Sequence, residues 1–309
     1  MTAPPPSVNL PSMNVDNIDL RLLRVFHALA EHGGFAGAQA ELGLTPSTLS
    51  IHLSNLEQRL GMVLCERGRG GFRLTEKGEH VHVATKRMFA ALEDFRAETA
   101  ALRGMLMGEL AIGLADSTVT DPRSPIAGAI RRFESRQNDV HLRLTVDRPA
   151  GLNHALLDGR LNLAVGIFPH HVAGVDYETL YAERSLLYCG AGHDFFGRGG
   201  IEAEEVGKAR FVGRAYSLER DLDAIGAARH KASVENMEAE AHLILSGCYI
   251  GFLPEHFAAG FVAAGRMQAV DAERFTLMSD VALAMPSAGK PNAVVRLFRE
   301  ELRKANAEA

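Results

Sequence analysis

One short segment combines hydroxyl side chains and leucines at the spacing of a two-faced helix. The segment is TPSTLSIHLSNLEQRL, residues 45–60. At about 100° per residue its leucines cluster on one side of a helical wheel and should pack inward. This stripe comprises Leu49, Leu53, Leu56 and Leu60. The opposite side carries Ser47, Ile51, Ser54 and Gln58, with Ser50 and His52 on the flanks.

Small hydroxyls on an outward helix face suit contact with a nucleic-acid groove. They let the helix backbone approach closely, and they can bond phosphates and base edges. Ile51 could offer only apolar contact, for instance to a thymine methyl group. The alternative is an ordinary solvated helix face. We predict that the following residues contact duplex DNA: Thr45, Pro46, Ser47, Thr48, Ser50, Ile51 and Ser54.

A basic, glycine-rich segment follows at residues 67–78, RGRGGFRLTEKG. Arg67, Arg69 and Arg73 have no acidic residue between them, and the intervening glycines permit a tight β-hairpin. Such a hairpin predicts a wing that binds phosphates beside the groove. A merely solvated loop would need neither the arginines nor the glycines.

The surrounding segments predict the helices that position these residues. From Ile18 an amphipathic stripe indicates a helix that Gly33-Gly34 ends, and FAGAQAEL at 35–42 indicates a second, shorter helix. Thr45 is a good N-cap, and Pro46 suits the first helical position. This order is typical of a helix-turn-helix, whose second helix enters the major groove.

A long amphipathic segment, from Thr75 to about Gly104, follows the hairpin. Its apolar positions recur at threes, fours and sevens, and its length suits a linker that pairs with a second copy of itself. Pairing would place two recognition helices on one duplex. The stripe comprises Val81, Met88, Leu92, Phe95, Thr99 and Leu102.

The motifs TPSxxS, LExxLG, ER and RLTxxG occur in this order between residues 45 and 78. With them, residues 18–104 resemble the N-terminal region of a LysR-type transcriptional regulator, and the rest of the chain agrees. The resemblance implies an α+β multi-domain fold: a winged helix-turn-helix, a linker helix and a periplasmic-binding-protein-like α/β effector domain. It also implies a homotetramer built as a dimer of dimers, double-stranded DNA and a small-molecule effector as partners, and it admits RNA polymerase as a further partner.

These features predict four parts of the chain. Residues 1–17 form a flexible tail, 18–76 the DNA-binding domain, 77–106 the linker helix and 107–309 the effector domain. Within the effector domain, subdomain I spans about 107–189 and 271–309, and subdomain II about 190–270.

The larger C-terminal part alternates strand-like and helical patterns, which indicates parallel β-sheet in two similar α/β units. Ligands in such sheets bind in the crevice at the carboxyl ends of the strands. Hydroxyls and a helix N-terminus there could hold a carboxylate, and Arg148 could add positive charge. The resemblance to the family implies an aromatic or other organic acid as the effector. By resemblance, Ser117 matches a loop position that commonly bonds effectors. The predicted contacts are Asp116, Ser117, Thr118, Arg148, Phe168 and Tyr216, each of which could instead be a turn or cap residue.

Composition and motifs give little support to a secreted, membrane, metal-binding or catalytic protein. The 309 residues carry a net charge of −5 and three scattered cysteines without metal-ligand spacing, which we interpret as small buried hydrophobes in a reducing compartment. The Pro-rich N-terminus is no secretory signal, and no long apolar run indicates a membrane span, so a cytoplasmic protein is expected. Two alternatives remain: a solute-binding protein with a helical oligomerisation module, and an enzyme. No cofactor or metal site is predicted, and no nucleophile motif supports catalysis.

Overall fold

A computed structural model describes residues 20–68, 71–227 and 230–309, without the side chain of Arg67. The predicted tail, residues 1–17, lies outside this range. The chain divides into two compact units, one ending at Ala91 and the other beginning at Leu92. None of the helices in the described part of the chain is both long and apolar enough to span a bilayer.

The first unit is a three-helix core followed by a hairpin and the start of a long helix. In chain order its elements are α1 (Leu20–Glu31), α2 (Phe35–Leu42), α3 (Pro46–Leu60), β1 (Cys65–Gly68), β2 (Gly71–Leu74) and α4 (Glu76–Ala101). Leucines of α3 pack with Phe26 and Leu29 of α1 in one buried cluster. The helix-turn-helix and the antiparallel hairpin follow the order that the sequence predicts.

Backbone packing explains the RLTxxG motif at the start of α4. The Thr75 hydroxyl donates to the carbonyl of Val63 at 2.9 Å and accepts from the Gly78 N–H at 2.9 Å. A Cβ atom on Gly78 would lie 2.0 Å from the carbonyl oxygen of Leu64. Glycine is therefore required at position 78, where α4 passes close to the backbone of Leu64 in the segment between α3 and β1.

The second unit is an α/β domain with parallel and antiparallel strands. Its strands are β3 (Met107–Leu114), β4 (Asp139–Val146), β5 (Leu163–Ile167), β6 (Val175–Gly190), β7 (Val212–Arg214), β8 (Ala232–Val234), β9 (Ile250–Pro254), β10 (Met267–Ala269) and β11 (Thr276–Pro286). Its helices after α4 are α5 (Ile126–Glu134), α6 (Pro149–Leu157), α7 (Ala203–Lys208), α8 (Leu218–Ile225), α9 (Met237–Leu245), α10 (Glu255–Ala263) and α11 (Ala293–Glu308).

Two long strands, β6 and β11, run from one half of this domain into the other. The main sheet has the order β10-β6-β11-β5-β3-β4, and β9 also pairs with β6. Strands β3, β4 and β5 are parallel, whereas β11 is antiparallel to β5 and to β6. Strands β7 and β8 form a separate parallel pair. The carboxyl ends of β3, β4 and β7 therefore supply the loops that border the crevice.

Several elements differ from the sequence-based expectation. The sequence after β3 predicts a helix over residues 122–136, but α5 begins at Ile126, after a 3₁₀ turn at residues 118–120. Strand β6 has no simple period, since its first half is largely exposed and its second half is buried. Cys65 and Cys189 are buried as expected, but Cys248 is exposed. Burial raises the pKa of the Cys189 thiol to about 11.

Candidate DNA interface and effector cleft

The two faces of α3 differ sharply in exposure. Leu49, Leu53 and Leu56 are fully buried, whereas Ile51 is 60% exposed. On the outward side Thr45, Pro46, Ser47 and Ser54 are exposed, and Thr48 and Ser50 are half-buried. His52, which the helical wheel places beside the hydroxyl face, is buried. The hydroxyl-bearing face is therefore accessible within its own unit.

Hydroxyl groups crowd the N-terminus of this helix. Thr45 has extended backbone geometry, and its Oγ1 accepts from the Thr48 N–H at 3.3 Å. The same oxygen lies 2.9 Å from the hydroxyls of Ser47 and Thr48. A capped helix N-terminus carries partial positive charge and suits phosphate oxygens. These hydroxyls can thus bond to the DNA backbone or to base edges.

The hairpin presents one described arginine. Arg73 is highly exposed, and its Nη2 lies 2.7 Å from Oε2 of Glu66 on the paired strand. That carboxylate raises the pKa of Arg73 and offsets part of its charge. The predicted contacts Arg67 and Arg69 lie outside the described side chains and residues, respectively. A role for all three arginines in phosphate binding remains a prediction.

In the second unit, two polar links join the halves of the α/β domain. Asp116, at the end of β3, accepts a hydrogen bond from the Met237 N–H at 2.6 Å, at the first residue of α9. Arg148, just before α6, pairs with Glu235. Asp116 therefore places a carboxylate of the protein on the helix N-terminus where an external anion could bind. Arg148 is half-exposed and already paired, which weakens its predicted role as an anion contact.

The cleft between the halves has an open outer cavity of about 700 Å³, which Ser117, Arg148 and Glu235 help to line, and an inner part that is nearly filled. The cavity volume of the inner part is about 20 Å³, enough for one or two water molecules. An organic effector that reaches the inner part would therefore need that part to open. The polar side chains that line it are Asp116, Thr118, Glu183, Ser185, Arg214, Tyr216, Ser217, Arg220 and Ser279.

A buried ion pair lies behind one wall of this cleft. Nε of Arg214 is 3.3 Å from Oε2 of Glu240, and both side chains are almost inaccessible. Burial raises the pKa of Glu240 to about 8, against the opposing effect of Arg214. Arg214 also lies 5.6 Å from the centroid of the Tyr216 ring. Arg220 reaches the cleft from α8 and donates to the Ser279 hydroxyl at 2.7 Å.

The predicted effector contacts separate into different environments. Thr118 and Tyr216 line the closed cleft. Ser117 has a left-handed backbone with a φ of 66°, and among the described residues its buried hydroxyl has no hydrogen-bond partner. The placement of Phe168 is a correction, because it is buried in the core with its ring 5.3 Å from that of Tyr177. The sequence predicts a strand over residues 161–168, but β5 ends at Ile167, and the side chain of Phe168 after it points into the core.

Sequence reasoning missed Arg214, Arg220 and Glu240. Arg214 lies inside the apolar segment ARFVGRA, where a charged residue is unusual because burying an unpaired charge is costly. A charged residue inside an apolar segment was therefore the sequence feature that could have identified Arg214. Its partner Glu240 comes from a distant helix, so only the tertiary structure identifies the pair.

Comparison with known proteins agrees with this architecture. Residues 20–79 match the family model of the bacterial regulatory helix-turn-helix proteins of the lysR family. Residues 103–307 match the model of the LysR substrate binding domain. The chain belongs to the LysR family. It is a LysR-type DNA-binding transcriptional regulator with a C-terminal effector-binding domain.

Its similarity to characterised LysR regulators extends over nearly the whole chain. The transcriptional activator BauR of Pseudomonas aeruginosa is 39% identical over 93% of this chain and 95% of BauR. The RuBisCO operon transcriptional regulator of Allochromatium vinosum is 27% identical over 84% of this chain and 87% of that protein.

Solved structures share the fold. The crystal structure of CbnR, a LysR family transcriptional regulator, has a TM-score of 0.66 at 19% identity and covers 94% of this chain and 99% of CbnR. The structure of full-length CbnR complexed with its target DNA has a TM-score of 0.64 at 19% identity, over 93% of this chain and 100% of that one. Because both identities are low, these matches establish the architecture rather than particular contacts.

Proposed function

We propose that the regulator recognises its operator through the outward face of α3. The observation that supports this most directly is the contrast between the buried leucines and the exposed hydroxyl face, which includes Ser47 and Ser54. Base edges would be contacted from the N-terminal half of α3, and phosphates by Arg67, Arg69 and Arg73. The similarity to the activator BauR supports activation as the direction of regulation.

A mobility-shift assay with the upstream region of the protein's own gene tests this assignment. The variant Ser47→Ala/Ser54→Ala should lose preference for that fragment over random duplex, while its affinity for random duplex stays the same. Ser135→Ala, an exposed serine before β4, is the matched control. Equal weakening on both duplexes would contradict base recognition by this face.

The proposed oligomer uses the exposed apolar positions of α4. Val81 and Met88 pack against the helix-turn-helix core, which removes them from the predicted dimer stripe. Phe95 and Leu102 are 67% and 88% exposed. Their spacing of seven places them on one side of the helix, where a second α4 could cover them. We therefore keep residues 77–106 as the proposed linker and a dimer of dimers as the proposed assembly.

The proposed effector is a small organic acid that binds in the cleft of the domain at residues 107–309. Arg214 and Arg220 supply cationic groups, and the N-terminus of α9 supplies backbone donors now occupied by Asp116. An effector carboxylate could replace that of Asp116 on the Met237 N–H. Contacts with the ligand would then offset the free energy needed to open the cleft, so binding would shift the domain from the closed to the open arrangement.

Thermal-shift screening of small mono- and dicarboxylates tests the effector class. Some compounds should raise the melting temperature of native protein. With Arg220→Gln, the concentration of such a compound that gives the same rise should be at least tenfold higher. Arg131→Gln, on the exposed side of α5, is the matched control. Equal potency on native and Arg220→Gln protein would exclude Arg220 as the anion contact. A response restricted to uncharged compounds would overturn the organic-acid assignment and leave the DNA assignment intact.

A further inference from the structure

A buried cluster of potential metal ligands lies at the junction between the halves of the effector domain. It consists of Asp121, Glu183 and His256, whose ligand atoms all lie within 4.8 Å of one another. Asp121 precedes α5, Glu183 lies on the crossing strand β6, and His256 is near the start of α10. All three side chains are at most 8% exposed. The cluster therefore joins elements from both halves of the domain.

Hydrogen bonds hold the imidazole ring of His256 with one nitrogen facing the carboxylates. The Thr120 hydroxyl lies 2.8 Å from Nδ1 of His256 and 2.9 Å from the carbonyl oxygen of Ser117. Because Thr120 holds the ring at Nδ1, Nε2 is the nitrogen that faces the cluster. Metal-binding histidines characteristically bond an oxygen through their other ring nitrogen, which is the position of the Thr120 hydroxyl.

Two carboxylates converge on Nε2 of His256. This nitrogen lies 2.9 Å from Oε2 of Glu183 and 3.5 Å from Oδ2 of Asp121. Tetrahedral Zn²⁺ with bonds of about 2.0–2.2 Å holds neighbouring ligand atoms roughly 3.3–3.6 Å apart. The Asp121 separation matches this spacing. The Glu183 separation is that of a hydrogen bond, which an ion would replace once Nε2 and Oε2 moved about 0.5 Å apart.

A single proton would leave part of this cluster unsatisfied. A proton on Nε2 could bridge to Glu183, but Asp121 at 3.5 Å is too distant for a good hydrogen bond. Among the described residues, the buried Oε1 of Glu183 has no hydrogen-bond partner. A metal ion could bind both oxygens of Glu183 together with Asp121 and His256. Arg123 contacts Asp121 at 2.9–3.3 Å and would orient that ligand from outside.

The other cluster of this kind within the described residues contains its own cation. Nζ of Lys86 lies 2.5 Å from Oε1 of Glu31, beside His27 and His82. The lysine compensates the only carboxylate there. In the Asp121 cluster the carboxylates of Asp121 and Glu183 surround the imidazole, and Arg123 touches only one of them.

We propose that Asp121, Glu183 and His256 bind a divalent transition-metal ion that joins the two halves of the effector domain. The mixed nitrogen and oxygen ligands suit Zn²⁺ or Mn²⁺ more than Mg²⁺ or Ca²⁺. Bound metal would hold α10 against the segment before α5 and favour the closed cleft. The site does not share its ligands with the proposed anion contacts Arg214 and Arg220.

The test is metal binding by the full chain, stripped with chelator and titrated at constant pH with ZnCl₂. Isothermal titration calorimetry should find one more equivalent of Zn²⁺ on native protein than on His256→Gln or Glu183→Gln. Replacing Zn²⁺ with Co²⁺ should give visible d–d absorption that these variants lack. His141→Gln, an exposed histidine of β4, is the matched control and should bind as native protein does.

A third variant keeps the ligands and removes only the orienting hydroxyl. Thr120→Val should weaken Zn²⁺ binding about tenfold, since it frees the imidazole ring. Circular dichroism in chelator establishes that each variant is folded, and its melting temperature should not rise with Zn²⁺ where the site is lost. Equal stoichiometry and affinity in native and His256→Gln protein would overturn the proposal. So would absence of Zn²⁺ and Co²⁺ binding, which would assign the cluster to a proton-bridged pair.

Discussion

The buried Arg214–Glu240 pair offers a quantitative test of how the effector domain is held together. Both side chains are less than 5% exposed, so Arg214→Met leaves a carboxyl group buried without its cation. Removing one partner of a buried pair costs about 3–5 kcal/mol. For a domain of this size that corresponds to a fall of roughly 6–20 °C in melting temperature. The loss should appear in urea unfolding at about pH 9, where Glu240 of native protein is ionised.

The pH dependence of the unfolding free energy distinguishes the loss of the charged partner from the loss of packing. The pKa of Glu240 in the folded state is about 8, above its ordinary value of 4.5, so the folded state binds this proton more tightly. This contribution to stability is complete below about pH 4.5 and is lost as the pH rises towards 8. Arg214 opposes the rise in pKa. Removing Arg214 raises the pKa of Glu240 further, so the deficit of Arg214→Met should be nearly constant from pH 5 to pH 7 and should grow above about pH 8.

A second substitution supplies the control. In Arg214→Met/Glu240→Gln the side chain at position 240 is permanently neutral, so the growth of the deficit above about pH 8 should disappear. Arg131→Gln is the matched exposed arginine and should leave the unfolding free energy unchanged within about 0.5 kcal/mol. A deficit of Arg214→Met that stays constant from pH 5 to pH 9.5 would refute the reasoning.

Three further substitutions test the helical elements. Gly78→Ala should destabilise the first unit by about 1–3 kcal/mol in denaturant unfolding, because its Cβ meets the Leu64 carbonyl, and Gly260→Ala, with open space around it, is the control. Unchanged stability of Gly78→Ala would contradict the close approach. Thr45→Ala should cost about 1 kcal/mol in the same assay through loss of the α3 cap, and no loss would exclude a capping role. Phe95→Ser should weaken self-association in sedimentation by about 2 kcal/mol, or roughly 30-fold, relative to the exposed control Val119→Ser, and an unchanged dissociation constant would remove α4 from the interface.

Much of the DNA-binding unit could be predicted because its signals are local. The leucine stripe of α3, the Thr45-Pro46 start and the Gly61 end all lie within one helix and agree with the structure. Linker helix α4 was also predicted within three residues at its C-terminal end. Which apolar residues of α4 are packed and which are exposed could not be predicted. Val81 and Phe95 belong to the same periodic stripe and differ only in what packs against them.

The effector cleft was predictable only in part. Strand ends locate Asp116, Thr118 and Tyr216 near the crevice, since parallel strands bring their carboxyl ends to one edge. Phe168 shows the limit of this rule, because a shift of one residue at a strand end reverses the direction of the side chain. Strand β6 was missed because it crosses two environments, and a single period cannot describe it.

By itself the sequence determined the family, the order of the helices and the hydroxyl face of α3. Caps, turns and helical periodicity act between residues that are close in the chain, so their spacing carries the information. Only the tertiary structure decided that Asp116 occupies the N-terminus of α9, that Arg214 meets Glu240, and that His256 meets two carboxylates. Those partners are far apart in sequence, and their charges interact strongly because folding brings them together and removes the water between them.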